Sequence, residues 1–130
     1  MKEKLKLLVV DDEDIVRESL SDWLSSIGYK VLTAKCGEEA LRIIKQKKVK
    51  IMIADLIMPG MNGIEATKAI CKEYKQAKIL MLTQYDNEEN IFASNRAGAI
   101  GFIPKKSASS HLIAGIRSAS RGENFTVAMG

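Results

Sequence analysis

The chain alternates between two spacings of hydrophobic residues. Residues 5–10 form a short, nearly continuous apolar run, which is typical of a strand buried on both faces in a parallel sheet. The next apolar positions, Val16, Leu20, Leu24 and Ile27, recur on one face of a helix, and Gly28 follows as a stop signal. The same alternation continues to residue 122. It predicts strands at 5–10, 29–34, 51–54, 79–82 and 99–103, and helices at 16–27, 38–47, 64–74, 87–97 and 107–119.

Five strands alternating with five helices predict an α/β fold. Such a pattern is satisfied by a parallel sheet with helices on both faces and right-handed crossovers. Five strands suit the flavodoxin-like, doubly wound order 2-1-3-4-5 better than the six-stranded dinucleotide-binding order. We therefore expect one domain over residues 1–122, followed by a tail or the start of a linker at 123–130.

Composition limits the class of protein. The chain has 130 residues, 46% of them hydrophobic and 28% charged, which is ordinary for a single globular domain. The apolar run before Asp11 is too short for a signal peptide, so the sequence predicts a cytoplasmic protein with no membrane contact. Cys36 and Cys71 form no C-x-x-C pair, and one histidine cannot complete a structural zinc site, so both are predicted to be free thiols.

The formal net charge of +4 raises the question of a polyanionic partner. Its basic residues are scattered and lack interleaved aromatics, which argues against a nucleic-acid surface. Lys45, Lys47, Lys48 and Lys50 cluster near the end of a predicted helix, where lysines favour the negative pole of the helix dipole. This cluster is either a solvated helix end or a contact surface.

Polar residues follow the predicted central strands at one edge of the sheet. The first strand ends in Asp11-Asp12, the third in Asp55, and the fourth in Thr83, while the fifth runs into Lys105. In a doubly wound sheet the ligand lies at this carboxyl edge. Three crowded carboxylates repel one another unless a cation neutralises them, and an open acidic pocket suits Mg²⁺.

The order and spacing of these residues resemble the response-regulator receiver domains of two-component signalling, over about residues 4–122. The matching motifs are Asp11-Asp12, Asp55-x-x-x-Pro59-Gly60-x-x-Gly63, Thr83 and Lys105.

The resemblance implies a role for each matched residue. Asp55 would accept a phosphoryl group from a sensor histidine kinase or phosphotransfer protein, and Lys105 would neutralise a phosphoryl oxygen. Asp11, Asp12, Asp55 and the backbone carbonyl of Ile57 would hold Mg²⁺, for which Mn²⁺ would substitute. The chain would then be no enzyme beyond its own phosphorylation and dephosphorylation.

Further residues would govern switching and the lifetime of the phosphorylated state. By the resemblance, Thr83 would hydrogen-bond the phosphoryl group and Phe102 would turn inward with it, although a buried aromatic in the fifth strand also fits simple core packing. Ile57, Gln84 and Tyr85 would flank the opening and slow hydrolysis by excluding water. The amide of Gln84 could instead orient a water molecule.

Two stretches resemble the NarL/FixJ-like branch, whose receivers are fused to a LuxR-type helix-turn-helix domain. They are residues 101–105 and residues 114–123. This resemblance implies an output in transcription, DNA contact only through such a C-terminal domain, and a phosphorylation-dependent homodimer. Unlike many receivers, this chain has Pro104 before Lys105 and Lys106 after it, so no cis proline bond can follow the site lysine.

Three other classes of protein share parts of this pattern. An aspartyl-nucleophile phosphatase of the haloacid-dehalogenase kind needs a second aspartate two residues after the nucleophile, where this chain has Ile57. A flavin module needs a phosphate loop after the first strand, where Asp11 to Asp14 would repel a phosphate. A stand-alone or phosphorylation-independent receiver would act as a protein-interaction module.

Overall fold

A computed structural model describes residues 4–56, 60–85 and 87–127. The strands are β1 (Lys6–Val10), β2 (Lys30–Ala34), β3 (Ile51–Ala54), β4 (Lys78–Thr83), β5 (Gly101–Pro104) and β6 (Phe125–Thr126). The helices are α1 (Asp14–Ile27), α2 (Gly37–Lys47), α3 (Gly63–Glu73), α4 (Glu88–Ala97) and α5 (Ala108–Ser120). A short 3-10 turn, Lys105–Ser107, joins β5 to α5. In the described part of the chain, no helix is both long and apolar enough to cross a membrane.

All strand pairs of the sheet are parallel, in the order β2-β1-β3-β4-β5-β6. The predicted order of the first five strands is confirmed, and the described residues add β6 at the edge beyond β5. The Phe125 N–H donates to the Ile100 carbonyl at 2.9 Å and the Val127 N–H to the Phe102 carbonyl at 3.1 Å. A two-residue strand is too short to show a hydrophobic period, which is why the sequence did not indicate it. The domain boundary at residue 122 stays a prediction.

Two hydrophobic layers cover the two faces of the sheet because alternate strand residues point to opposite sides. On one face Leu8 and Val10 pack with α2, α3 and α4; on the other Leu7 and Val9 pack with α1 and α5. β1 and β3 are buried on both faces, as their continuous apolar runs predict.

Several helix ends follow their local chemistry. Gly28 closes α1 with a φ of 119°, in the left-handed region that favours glycine. The side chains of Asn62 and Asn87 cap α3 and α4. Ser107 precedes α5 as predicted, but its side chain makes no capping hydrogen bond, because the preceding 3-10 turn leaves it with φ −103° and ψ 5° instead of extended backbone.

Candidate phosphoacceptor site

Two acidic residues meet at the carboxyl edge because their strands are neighbours. Val10 of β1 pairs with Ala54 of β3, so the residues that follow them, Asp11 and Asp55, emerge side by side. The backbone fixes both positions: the Asp55 N–H donates to the Val10 carbonyl at 3.1 Å, and the Asp11 N–H donates to the Ala34 carbonyl at 3.2 Å. The ends of these strands are therefore rigid supports for two carboxylates.

A third carboxylate and one ammonium group complete the cluster. Asp11, Asp12 and Asp55 each place a carboxylate oxygen within 4.8 Å of the others, with Asp12 exposed and the other two buried. Lys105 Nζ lies 2.9 Å from Asp55 Oδ2 and 3.0 Å from Asp11 Oδ2. It is also 3.6 Å from Glu13 Oε1 at the rim. In this arrangement Lys105 bridges the two buried carboxylates.

Burial and charge act against each other in this cluster. Burial raises the pKa of Asp11, as does the charge of Asp55, while the Glu13 N–H and Lys105 oppose the rise. Burial disfavours the charged form of Lys105, but its hydrogen bonds to Asp55 and Asp11 outweigh that effect and raise its pKa above the ordinary value. Lys105 therefore remains an ammonium group across the physiological pH range.

The donor set suits a hard divalent cation. Three carboxylates offer only oxygen, one of them faces solvent, and Mg²⁺ characteristically combines one or two carboxylates with water and a phosphate oxygen. The sequence also predicts the backbone carbonyl of Ile57 as a ligand. That residue lies outside the described residues, as does the Pro59 of the motif.

Thr83 and Phe102 lie on the neighbouring strands. Thr83, the last residue of β4, is buried, and its Oγ1 accepts a hydrogen bond from the Tyr85 N–H at 3.2 Å. It pairs with Pro104, which places it beside the strand that leads into Lys105. Phe102 is fully buried in the layer beneath α3 and α4, as core packing requires. Its role as a switch stays a prediction.

The residues predicted to control hydrolysis lie after β4. Gln84 is exposed, and Tyr85 is 43% exposed. The Tyr85 carbonyl accepts a hydrogen bond from Asn90 Nδ2 at 3.0 Å, which ties this loop to α4. Both side chains are accessible near the end of β4, whereas Ile57 lies outside the described residues. Their effect on phosphoryl lifetime stays a prediction.

Arg17 supports the acidic loop and was missed by the sequence analysis. Its guanidinium group is buried; Nη1 donates to the Asp11 backbone carbonyl at 2.8 Å, and Nη2 pairs with the Asp14 carboxylate. That pairing lowers the pKa of Asp14. A signal was available: Arg17 lies three residues before Leu20 and seven before Leu24, so it falls on the apolar face of α1, where an unpaired charge is not tolerated.

Comparison with known proteins identifies the family. The sequence model of the family described as "Response regulator receiver domain" matches residues 7–117. The transcriptional regulatory protein LiaR of Bacillus subtilis is 34% identical over 121 residues, which are 92% of this chain and 57% of LiaR. The oxygen regulatory protein NreC of Staphylococcus haemolyticus is 36% identical over 124 residues, 93% of this chain and 57% of NreC. The chain thus spans little more than half the length of these relatives.

Solved structures agree. Vibrio cholerae chemotaxis protein CheY4 superposes with a TM-score of 0.85 at 33% identity, covering 90% of this chain and 99% of CheY4. A LuxR-family two-component response regulator from Aurantimonas superposes with a TM-score of 0.89 at 30% identity, covering 95% of this chain and 89% of that protein. Thermotoga maritima TrrA, solved in complex with Mg²⁺-BeF, superposes with a TM-score of 0.81 at 35% identity, covering 90% of this chain and 99% of TrrA. The chain therefore belongs to the response regulator receiver domains, in their NarL/FixJ-like branch.

Proposed function

We propose that Asp55 is the phosphoacceptor of this receiver domain and that the transfer depends on Mg²⁺. The observation that carries the proposal is the juxtaposition of a buried carboxylate at the end of a central strand with two further carboxylates and one ammonium group. Few arrangements let a carboxylate approach a phosphoryl group, because both are negatively charged. Here positive charge lies within hydrogen-bonding distance of the nucleophile.

The chain's own residues divide the work of transfer. An Asp55 carboxylate oxygen attacks phosphorus, and the bond from phosphorus to the donor's imidazole nitrogen or acyl oxygen breaks with its electron pair. The Lys105 ammonium group, which donates a hydrogen bond to Asp55, donates instead to a phosphoryl oxygen and neutralises its charge. The Thr83 hydroxyl accepts the Tyr85 N–H, so its own proton is available for a second phosphoryl oxygen.

Asp11, Asp12 and Asp55 would hold the metal, together with the Ile57 carbonyl. When bound, Mg²⁺ supplies the positive charge that screens the carboxylate from the phosphoryl oxygens. Mn²⁺ prefers the same oxygen ligands and should substitute. Hydrogen bonds hold the backbone of Asp11 and Asp55, which supports the position of these two ligands.

The partners follow from the family. A sensor histidine kinase or a phosphotransfer protein donates the phosphoryl group, and the chemistry of the chain is confined to its own phosphorylation and hydrolysis. LiaR is a transcriptional regulatory protein. By this likeness the output would be transcription, with DNA contact only through a C-terminal helix-turn-helix domain if the full-length protein has one. Phosphorylation would change self-association, through α1 with α5 or through α4, β5 and α5. The setting is the cytoplasm.

Intact-mass analysis with acetyl phosphate tests the assignment. The parent chain should gain one phosphoryl group when Mg²⁺ is present and none with EDTA, and Mn²⁺ should restore labelling. Asp55→Asn should gain none. Asp22→Asn removes an exposed carboxylate of α1 outside the cluster and should label like the parent. If Asp55→Asn labels as readily as the parent, or EDTA has no effect, the nucleophile or the metal is wrongly assigned and a phosphorylation-independent module becomes the better interpretation.

A further inference from the structure

The surplus positive charge of the chain is concentrated at the edge of the sheet opposite Asp55. Three adjoining clefts open there, and their described lining residues include lysines but no aspartate or glutamate. We call this surface the amino-end basic face. Its lysines are Lys4, Lys6, Lys45, Lys48, Lys50, Lys75 and Lys78. The carboxyl edge carries the acidic cluster, so the two ends of the molecule have opposite charge.

One of the three clefts has an apolar floor. It has a volume of about 400 Å³ and lies between the segment that follows α2 and the segment that follows α3. Ile44, Val49 and Ala77 line it and are buried, and Tyr74 is half-buried beside them. The lysines that share this cleft, Lys45, Lys48, Lys50 and Lys75, are all exposed. The cleft therefore combines an apolar floor with a cationic rim.

Lys48 is held in a conformation that favours glycine. Its φ is 53° and its ψ is 45°, and in the described residues it is the one non-glycine residue with a positive φ. Glycine or asparagine is the usual residue where a helix ends in this conformation. Lys48 lines two of the three clefts. A lysine that adopts this unfavourable backbone conformation and lines two clefts is a candidate for a functional side chain, since such conformations cluster at functional sites.

We propose that the amino-end basic face binds an acidic polypeptide segment, which places one large apolar side chain in the cleft between Ile44 and Ala77. Seven lysines without a carboxylate complement a run of glutamates and aspartates, and the floor accepts an aliphatic or aromatic anchor. The docked segment would lie at the far end of the sheet from Asp55, so both ends can be occupied together.

The same features disfavour other anionic partners. A nucleic-acid backbone has no apolar group to place on this floor. The described lining residues include no arginine and, apart from the half-buried Tyr74, no aromatic side chain on which bases could stack. A membrane-binding surface inserts protruding apolar side chains. The exposed large hydrophobic residues of the described chain, Ile15, Ile27, Tyr85 and Phe92, line none of these clefts.

Fluorescence anisotropy with defined peptides tests the proposal. The probe is a labelled nine-residue peptide with a central leucine flanked by glutamates and aspartates; its partner peptide has serine in place of the leucine. We expect saturable binding of the leucine peptide to the full 130-residue chain at low salt, at least about fivefold weaker binding of the serine peptide, and weakening of both as salt screens the charges.

Three variants distinguish a specific contribution of the amino-end basic face to peptide affinity from effects of net charge and of folding stability. Lys45→Glu with Lys75→Glu should weaken binding of the leucine peptide by roughly tenfold or more. Lys47→Glu with Lys68→Glu makes the same change in net charge at exposed positions that line none of the clefts, and should change affinity less than about twofold. Lys48→Gly relieves the backbone and should leave the melting temperature unchanged or higher while affinity falls.

Several results would overturn the proposal. These are no saturable binding, equal affinity for the two peptides, or equal losses in the cleft and control variants. Tighter binding of a short DNA duplex or of phosphatidylserine vesicles, lost in the cleft variant, would identify a different class of partner. Concentration-dependent self-association lost in the cleft variant would show that the acidic edge of a second copy is the occupant.

Discussion

At the residue scale, two cationic side chains, Lys105 and Arg17, support the acidic cluster. Lys105 contacts both the Asp55 and the Asp11 carboxylates. Arg17 contacts the same acidic loop by donating a hydrogen bond to the Asp11 backbone carbonyl. One cation therefore acts at the carboxylates and the other fixes the backbone that carries them. Such outer contacts tune metal affinity without touching the ion.

We expect Arg17→Met to weaken Mg²⁺ binding by roughly tenfold, because Asp11 and Asp12 lose the donor that orients their loop. Isothermal titration calorimetry measures the dissociation constant directly. Arg17→Lys keeps one donor and should recover part of the affinity. A purely structural role for Arg17 would lower the melting temperature of Arg17→Met and leave its Mg²⁺ affinity unchanged.

Phosphoryl lifetime is a second property set by single residues. Gln84 and Tyr85 are both accessible near the end of β4, and neither can act as a general base near neutral pH. Gln84→Ala and Tyr85→Ala should each lose the phosphoryl group faster than the parent, by roughly two- to fivefold, which is about 1 kcal/mol or less of barrier. The decay of phosphorylated protein after donor removal gives the rate. Slower decay in Gln84→Ala would mean that its amide orients the attacking water.

At the element scale, the position of Asp55 depends on how closely α3 packs against the end of β3. The Gly63 N–H donates to the Leu56 carbonyl at 2.8 Å, and a Cβ at Gly63 would lie 2.2 Å from the Asp55 carbonyl oxygen. On the other side of the loop, the Met61 N–H donates to Glu38 Oε1 of α2 at 3.0 Å. Helices α3 and α2 thus hold Leu56 and Met61, which follow the nucleophile in the chain.

Gly63→Ala should therefore lower the free energy of unfolding by about 3 kcal/mol, because the added methyl group meets backbone that cannot move aside. It should also slow labelling by acetyl phosphate by roughly tenfold or more, since Asp55 is displaced. Urea unfolding and intact-mass kinetics provide the two measurements.

Gly122→Ala is the matched control for this prediction. Its Cβ would meet nothing within 4 Å, but its φ of 74° makes alanine unfavourable by about 1 kcal/mol. It should lose stability and keep the labelling rate. Equal labelling rates in Gly63→Ala and the parent would show that α3 does not position the nucleophile.

At the scale of the whole molecule, the sheet extends past the predicted boundary. Phe125 packs in the layer beneath α1 and α5, and a Cβ at Gly115 would lie 3.2 Å from its ring. Gly101 and Gly115 leave room for the β6 backbone and for the Phe125 ring. If these contacts stabilise the domain, replacement of Phe125 should lower its stability.

We expect Phe125→Ala to lower the free energy of unfolding by about 1.5 kcal/mol, less than for a fully buried phenylalanine because this side chain is half-buried. Thr126→Ala, at the exposed neighbouring position, should stay within about 0.5 kcal/mol of the parent. The free energies of unfolding of the two variants, measured with denaturant, test the predicted domain boundary at residue 122. If both unfold like the parent, the domain ends near residue 122 as the sequence predicts.

The sequence by itself determined the order of elements, the parallel sheet and the candidate residues at its carboxyl edge. Hydrophobic period is a local property, so strands such as Ile51–Ala54 and helices such as Asp14–Ile27 can be identified from neighbouring residues alone. The rule that ligands bind beyond strand ends then placed Asp11, Asp55 and Lys105 at the same edge.

Only the tertiary structure decided how distant segments meet. Lys105 lies 50 residues from Asp55 in the chain, and no local pattern says that its ammonium group bridges Asp55 and Asp11. The Asp11 backbone carbonyl as the partner of Arg17, and the gathering of Lys4, Lys48 and Lys75 around adjoining clefts, could likewise not be identified from the sequence, because charge contacts depend on distances across the fold. Hydrophobic burial sets the elements, and their packing fixes which charges come within reach of one another.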